Sequence, residues 1–158
     1  MVREVSLVGI AALGALAVYL SLDHYQTIDR LELALNAART EALTSEFPYC
    51  GEGRHVTCIV GGDTFWLDGE KIRVADIDAP ELSPPRCEAE RIKGEAAKRR
   101  LQVLLEAGPF SLVIHGRPQD RYGRRLRMVM RAGRSVGAIL VQEELAHSWG
   151  GPRGTWCE

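Results

Sequence analysis

The stretch G-G-D-T-F-W-L-D-G-E-K-I-R-V-A-D-I-D-A-P-E, residues 61–81, decides how this chain folds. Thr64–Leu67 and Lys71–Val74 are rich in aromatic and β-branched residues. They flank Asp68-Gly69, a pair that accepts positive φ at both positions of a two-residue hairpin turn. Such a turn sets the register: Leu67 opposite Glu70, Phe65 opposite Ile72, Thr64 opposite Arg73. Alternation along regular strands puts Asp63, Val74, Asp76 and Asp78 on one face and sends Arg73 to the other. A bulge or bend at Ala75–Ile77, or at Gly61-Gly62, would bring Arg73 round to the acids. Pro80 lacks an amide donor and ends the strand, leaving Asp78 and Glu81 at its rim. On parity alone, the same group of charges reads equally well as a solvated strand end.

Outward from the hairpin, Arg54–Val60 reads as a first strand ahead of a kink at Gly61-Gly62. Ala89–Glu106 reads as a helix with Ile92, Ala96, Leu101, Leu104 and Leu105 as its buried stripe and Gly108-Pro109 as its stop. Phe110–His115 is a strand and Arg117–Arg124 a polar loop. Arg125–Arg131 is a strand with Leu126, Met128 and Met130 on one side and arginines on the other, and Ser135–Glu143 is a helix. The tail from Gly150 is irregular. Together these predict an α+β, mainly β, domain over residues 51–158: a five-stranded Greek-key barrel of the OB type with two to three helices. That frame often presents a nucleic-acid-binding face.

Ahead of the domain, Val5–Leu22 is eighteen residues without a charge, close to the ~20 a helix needs to cross a bilayer. No A-x-A cleavage site directly follows it. Residues 1–22 therefore predict an uncleaved single-pass membrane anchor, with a cleaved secretory signal as the alternative. Residues 23–50 read as a stalk and linker, the helix Tyr25–Glu46 ending at Phe47-Pro48. The net charge of −1 excludes neither class of partner, but its distribution is uneven: three Arg against six acids in residues 1–50, and 17 Lys and Arg against 15 acids in 51–158. Between 117 and 134 seven arginines face Asp120 alone. Such a stripe can steer a phosphate backbone, although an Arg-rich exposed strand face is the plainer reading. Four cysteines without a C-x-x-C pair give no zinc signature. Behind a membrane-targeting segment they fit disulfides in an oxidising compartment, with Cys50–Cys58 and Cys87–Cys157 preferred among three pairings. Four reduced thiols in a cytoplasm-facing domain are the alternative. The domain is thus expected on the periplasmic or extracellular side of the cell membrane, or secreted. No protein partner is evident.

The order Asp63-Thr64, Arg73, Asp78-Ala79-Pro80-Glu81, then Asp120-Arg121-Tyr122-Gly123-Arg124 and the Val136–Leu145 segment, resembles the thermonuclease (staphylococcal nuclease-like) family. The resemblance runs roughly from His55 to Trp149 and implies the same barrel. It also implies a Ca²⁺-dependent endonuclease that hydrolyses DNA and RNA with little sequence preference and leaves 3′-phosphate ends. A phosphodiester anion repels nucleophiles, so its hydrolysis needs charge neutralisation, an activated water and support for transition-state charge. By the resemblance, Asp63, Asp78 and the Ala79 carbonyl are hard oxygen ligands for Ca²⁺, and Glu81 is the general base. Arg73 and Arg124 offer bidentate forks to phosphate, and Arg121 and Tyr122 lie by the bound nucleotide. Two positions depart from the pattern. Gly61 replaces an acid two residues before Asp63, and Ala79 replaces a threonine. Asp76 has no assigned role, and His55, His115 and His147 show no metal spacing. A reading of another class is a catalytically silent OB-type module, tethered to the membrane, that binds nucleic acid or protein.

Overall fold

The computed structural model describes residues 46–152 and 154–157. The expected membrane segment at 1–22, and the expected stalk as far as residue 45, lie outside the described residues. Eight strands are described: β1 (Cys58–Ile59), β2 (Thr64–Leu67), β3 (Glu70–Val74), β4 (Ile77–Asp78), β5 (Ser111–Gln119), β6 (Arg125–Arg131), β7 (Arg134–Ser135) and β8 (His147–Ser148). Two helices, α1 (Glu88–Glu106) and α2 (Val136–Gln142), complete the set.

The hairpin forms as its turn residues dictate. β2 and β3 pair antiparallel with Leu67 opposite Glu70, Phe65 opposite Ile72 and Thr64 opposite Arg73. Asp68 and Gly69 take φ of 50° and 81°, the positive values a two-residue hairpin needs. Phe65, Leu67, Ile72 and Val74 are buried in one core with Phe47, Ile59, Phe110, Val129 and the α1 leucines.

The expected closed barrel is corrected by the strand path, β1-β2-β3-β6-β5, with β7 on β6. The sheet is mainly antiparallel but joins β3 to β6 in parallel, and no ladder among the described residues returns from β5 to β1. The reason lies at β1. It is two residues long, not the seven expected from Arg54–Val60. Its outer edge is already occupied: Ile59 N–H donates to Pro48 O at 2.8 Å and Cys50 N–H to Ile59 O at 3.0 Å. An edge whose donors and acceptors are satisfied offers nothing for a closing strand.

Two buried faces also differ from the periodicity. On α1, Ile92 is exposed and Ala96 half-buried, while Gly94 and Ala97 join Leu101, Leu104 and Leu105 inside. The helix passes so close to the hairpin exit that only small residues fit. A Cβ on Gly62 would sit 2.6 Å from the Ala97 Cβ and 2.9 Å from that of Ala79, and one on Gly94 would meet Leu82 at 2.8 Å. On β6, Val129 is the core residue, whereas Leu126, Met128 and Met130 are half-buried. Pairing with β3 sets Arg127 beside buried Val74, so Arg127, Val129 and Arg131 share the inner face. Arg131 ends that face by donating to Leu105 O and Gly108 O at the end of α1, where a cation satisfies orphan carbonyls.

Gly62→Ala is expected to lower stability by about 1–3 kcal/mol through overpacking against Ala97. Gly51→Ala, where a Cβ would have nothing within 4 Å, should change it by less than about 0.5 kcal/mol. Urea unfolding midpoints of the two variants check this.

Candidate active site at the hairpin exit

Past Val74 the chain turns at Ala75-Asp76 and re-enters as β4, which pairs with β8 instead of extending β3. The Arg73 side chain lies in the elbow. Its Nη1 donates to Val74 O at 2.8 Å and to Ile77 O at 2.9 Å. Its Nη2 pairs with Asp63 Oδ2 at 3.0 Å and Asp78 Oδ1 at 3.1 Å. The bend near Ala75–Ile77 thus overrides strand parity and brings Arg73 to the acids. Asp63 is held further by Thr64 Oγ1, which donates to its Oδ1 at 2.8 Å, and by the Ala79 N–H at 3.4 Å from Oδ2. Burial pushes the Asp78 carboxyl above its ordinary value. Arg73 and His147 pull it down, while Asp63 and Glu81 push it further up.

Asp76, left without a role above, is a fastener. Its Oδ2 accepts from Ser135 Oγ, the N-cap of α2, and its backbone oxygen accepts from Trp149 N–H at 2.8 Å. Trp149 lies with its ring 4.8 Å from the Arg73 guanidinium. Arg73 and Trp149 also wall a cavity of about 310 Å³ shared with His115, Arg117, Asp120 and Arg124. Asp120 explains why Arg124 is presented there. Its carboxylate accepts from the backbone N–H of Tyr122 (2.9 Å) and Arg124 (3.0 Å) and from Arg124 Nε (2.7 Å). Gly123, at φ 80°, makes the tight turn possible. Burial raises Asp120, but those hydrogen bonds outweigh it and hold the carboxyl below its ordinary value.

The structure therefore gathers Asp63, Arg73, Asp78 and Ala79 closely, with Arg124 across the same cavity. It does not bring every expected residue there. Glu81 is exposed, and its Oε1 accepts from Leu82 N–H (3.0 Å) and Ser83 N–H (3.2 Å) on its own loop. Tyr122 is 68% exposed, stacks on Arg121 at 4.7 Å, and borders a different depression with Trp66 and Lys71. Cys50 is joined to Cys58 and Cys87 to Cys157. Among the described residues, Cys50, His55 and Cys58 are the one grouping with metal-ligand proximity, but both sulfurs are spent on that disulfide.

Glu90 went unread in the sequence. It is 1% exposed in the first turn of α1. Its carboxylate accepts from the Arg86 N–H (2.6 Å), the Arg86 guanidinium (2.8 Å) and the Glu81 N–H (3.4 Å), which ties down both ends of the loop carrying Glu81. The signal was a glutamate three residues after the N-cap Cys87, a capping-box position masked by the unusual cap.

A cavity walled by Arg73, Arg117 and Arg124, with the paired carboxylates Asp63 and Asp78 behind Arg73, concentrates guanidinium donors that suit an anion. Residues 71–150 match the family model described as staphylococcal nuclease homologue. The chain belongs to that nuclease family. Arg73, Asp78, Glu81 and Arg124 fall inside the matched span, and Asp63 lies just ahead of it. Comparison with curated proteins finds no match.

The hydrogen bonds from Arg86 hold Glu90 down at about 2, against an ordinary 4.5. The stability it contributes is therefore complete above that ordinary value and is lost as pH falls towards the folded-state value. Unfolding in that window takes up about one proton at Glu90, which Glu90→Gln cannot do. Stability of the unsubstituted protein should fall more steeply with acid across this window than that of Glu90→Gln. Parallel curves from pH-dependent urea titrations would rule out the clamp.

Proposed function

We propose that the domain is a Ca²⁺-dependent endonuclease acting on DNA and RNA with low sequence specificity and leaving 3′-phosphate ends. The observation that carries the reading is the juxtaposition of Arg73, bound to Asp63 and Asp78, with Arg124 across one open cavity. The donor set suits the ion. Asp63 and Asp78 are hard carboxylates whose oxygens touch a single guanidinium nitrogen, and Asp78, lifted first by burial and further by Asp63 and Glu81, would be returned to its ionised form by a divalent cation. The Ala79 carbonyl completes the protein's share of ligands. Once bound, Ca²⁺ neutralises phosphate charge and lowers the cost of deprotonating water.

The chain's own groups supply the rest. Arg73 and Arg124 offer planar forks to the non-bridging oxygens, and those contacts strengthen as charge accumulates in the transition state. Glu81 leaves its local hydrogen bonds to take a proton from the attacking water. Arg121 and Tyr122, stacked together on the exposed loop, extend the basic surface along the strand. The present attachment of Glu81 to Leu82 and Ser83 favours a second reading, a silent nucleic-acid-binding module. Two disulfides support an oxidising compartment, with residues 1–22 as membrane anchor and the domain on the periplasmic or extracellular side.

The protein should degrade single-stranded DNA in Ca²⁺ and stop with chelator, and Glu81→Gln should cut the rate on the order of a hundredfold. Binding of DNA without cleavage in any divalent cation would select the silent module instead. Because Asp63 and Asp78 are already paired with Arg73, a cation must compete for them, and a phosphate gives Arg73 new acceptors. Calorimetry should therefore show Ca²⁺ binding roughly tenfold or more tightly with a nucleotide bisphosphate present than without. Equal affinities would mean that Arg73 does not mediate between them.

A further inference from the structure

A second cavity, of about 520 Å³, opens on the other side of Trp149. Asp78, Arg86, His147, Trp149 and Trp156 line it, together with glycines of the tail. Its size falls within the ~300–1,000 Å³ usual for ligand sites. The tail that forms its wall is built into the fold. Cys157 is bonded to Cys87, the cap of α1. Trp156 is 7% exposed and stacks on His147 at 3.8 Å with a 12° tilt, and the Lys93 ammonium lies 5.3 Å from the Trp156 ring. Gly154 presses so closely on His147 that a Cβ there would come within 2.7 Å of the ring.

The position of this cavity gives it a meaning. Trp149, 61% exposed, borders both cavities, and Arg73 stacks on it. Arg73 and Arg124 face one cavity, and Asp78 faces the other. A phosphodiester within a chain carries a nucleoside on each side. If its phosphate lies at Arg73, the two nucleosides must depart in opposite directions past Trp149. The second cavity combines the exposed Trp149 ring with Arg86 in its wall and Lys93 nearby, the mixture that holds single-stranded nucleic acid through base stacking and backbone charge.

We propose that the cleft between Asp78 and the disulfide-pinned tail is a second nucleotide subsite, accepting the base on the far side of the scissile phosphate from the Arg73–Arg124 cavity. The assignment rests on the hydrolase reading and specifies where that activity's polymeric substrate runs. It makes the Cys87–Cys157 bond a determinant of substrate engagement, because untying the tail removes one wall.

The test is cleavage mapping on an end-labelled oligothymidylate with a single abasic residue, in Ca²⁺. In the unsubstituted protein both linkages bordering the abasic residue should be cut about tenfold more slowly than the others, since each places the missing base in one of the two cavities that Trp149 borders. In Ser148→Phe, which fills the cleft from an exposed position, only one of the two linkages should remain slow relative to the rest. Cys157→Ser should show the same one-sided loss, with melting temperatures confirming that both variants fold. Both linkages staying slow in the two variants, or only one being slow in the unsubstituted protein, would overturn the subsite while leaving the nuclease intact. No cleavage of any oligonucleotide by the unsubstituted protein would remove the hydrolase reading and this subsite with it.

Discussion

A guanidinium only 6% exposed has to find acceptors on all sides, because an unpaired buried charge costs more than most single interactions can return. Arg73 finds two carbonyls and two carboxylates. The carbonyls of Val74 and Ile77 can face the same nitrogen only if the chain doubles back between them, and so it turns at Ala75-Asp76. From that elbow follow the departure of β4 from the main sheet, its pairing with β8, and the approach of Asp78 to Asp63. Trp149 covers the exposed side of the guanidinium from the neighbouring β8 turn. One charge thus organises the end of the hairpin.

That arrangement leaves an imbalance. Two carboxylates share one guanidinium, and Glu81 adds a third negative group close enough to raise Asp78 further. Burial lifts Asp78 more strongly than Arg73 lowers it, so the site in isolation disfavours the ionised form that a cation would favour. Arg73 holds the two carboxylates together, and the proposed Ca²⁺ would have to compete with it for them. Of the arginines between 117 and 134, Arg117 and Arg124 line the cavity that Arg73 also faces, and Asp120 lies beside Arg124 there.

Local rules made the hairpin legible. Asp68-Gly69 admits one turn type, the turn admits one register, and the register put Thr64 opposite Arg73 as read. The position of Arg73 was open to parity, because the bend that reorients it is caused by contacts its own side chain makes after folding. Barrel closure was misread for a similar reason. Nothing in Arg54–Val60 announces that the outer edge of Ile59 is taken by Pro48 and Cys50. Ile92 was placed inside and Gly94 and Ala97 overlooked because hydrophobic periodicity scores size, whereas the helix face against Gly62 selects for its absence. On β6 Leu126, Met128 and Met130 do alternate with the arginines, but pairing with β3 sets Val129, on the arginine side, as the core residue, and parallel pairing is a long-range fact. Glu90 reads locally as one more acid on a charged helix; only the fold returns the Glu81 loop to it.

The first half of α1 ties these pieces of the molecule together. Cys87 ties it to the tail, Glu90 ties it to the loop of Glu81, and Ala97 rests against Gly62 just before Asp63. Three elements that carry proposed functional groups are therefore fixed to the first half of one helix, two at its cap and first turn and one at its middle. Glu81 itself is the exception. Its backbone is anchored through Glu90, but its carboxylate holds only two exposed amides of its own loop, bonds that water can replace at little net cost. The fold pairs Asp63 and Asp78 with Arg73 and leaves the Glu81 carboxylate on replaceable bonds, a division of labour that suits the proposed roles, in which two acids hold an ion and a third moves a proton.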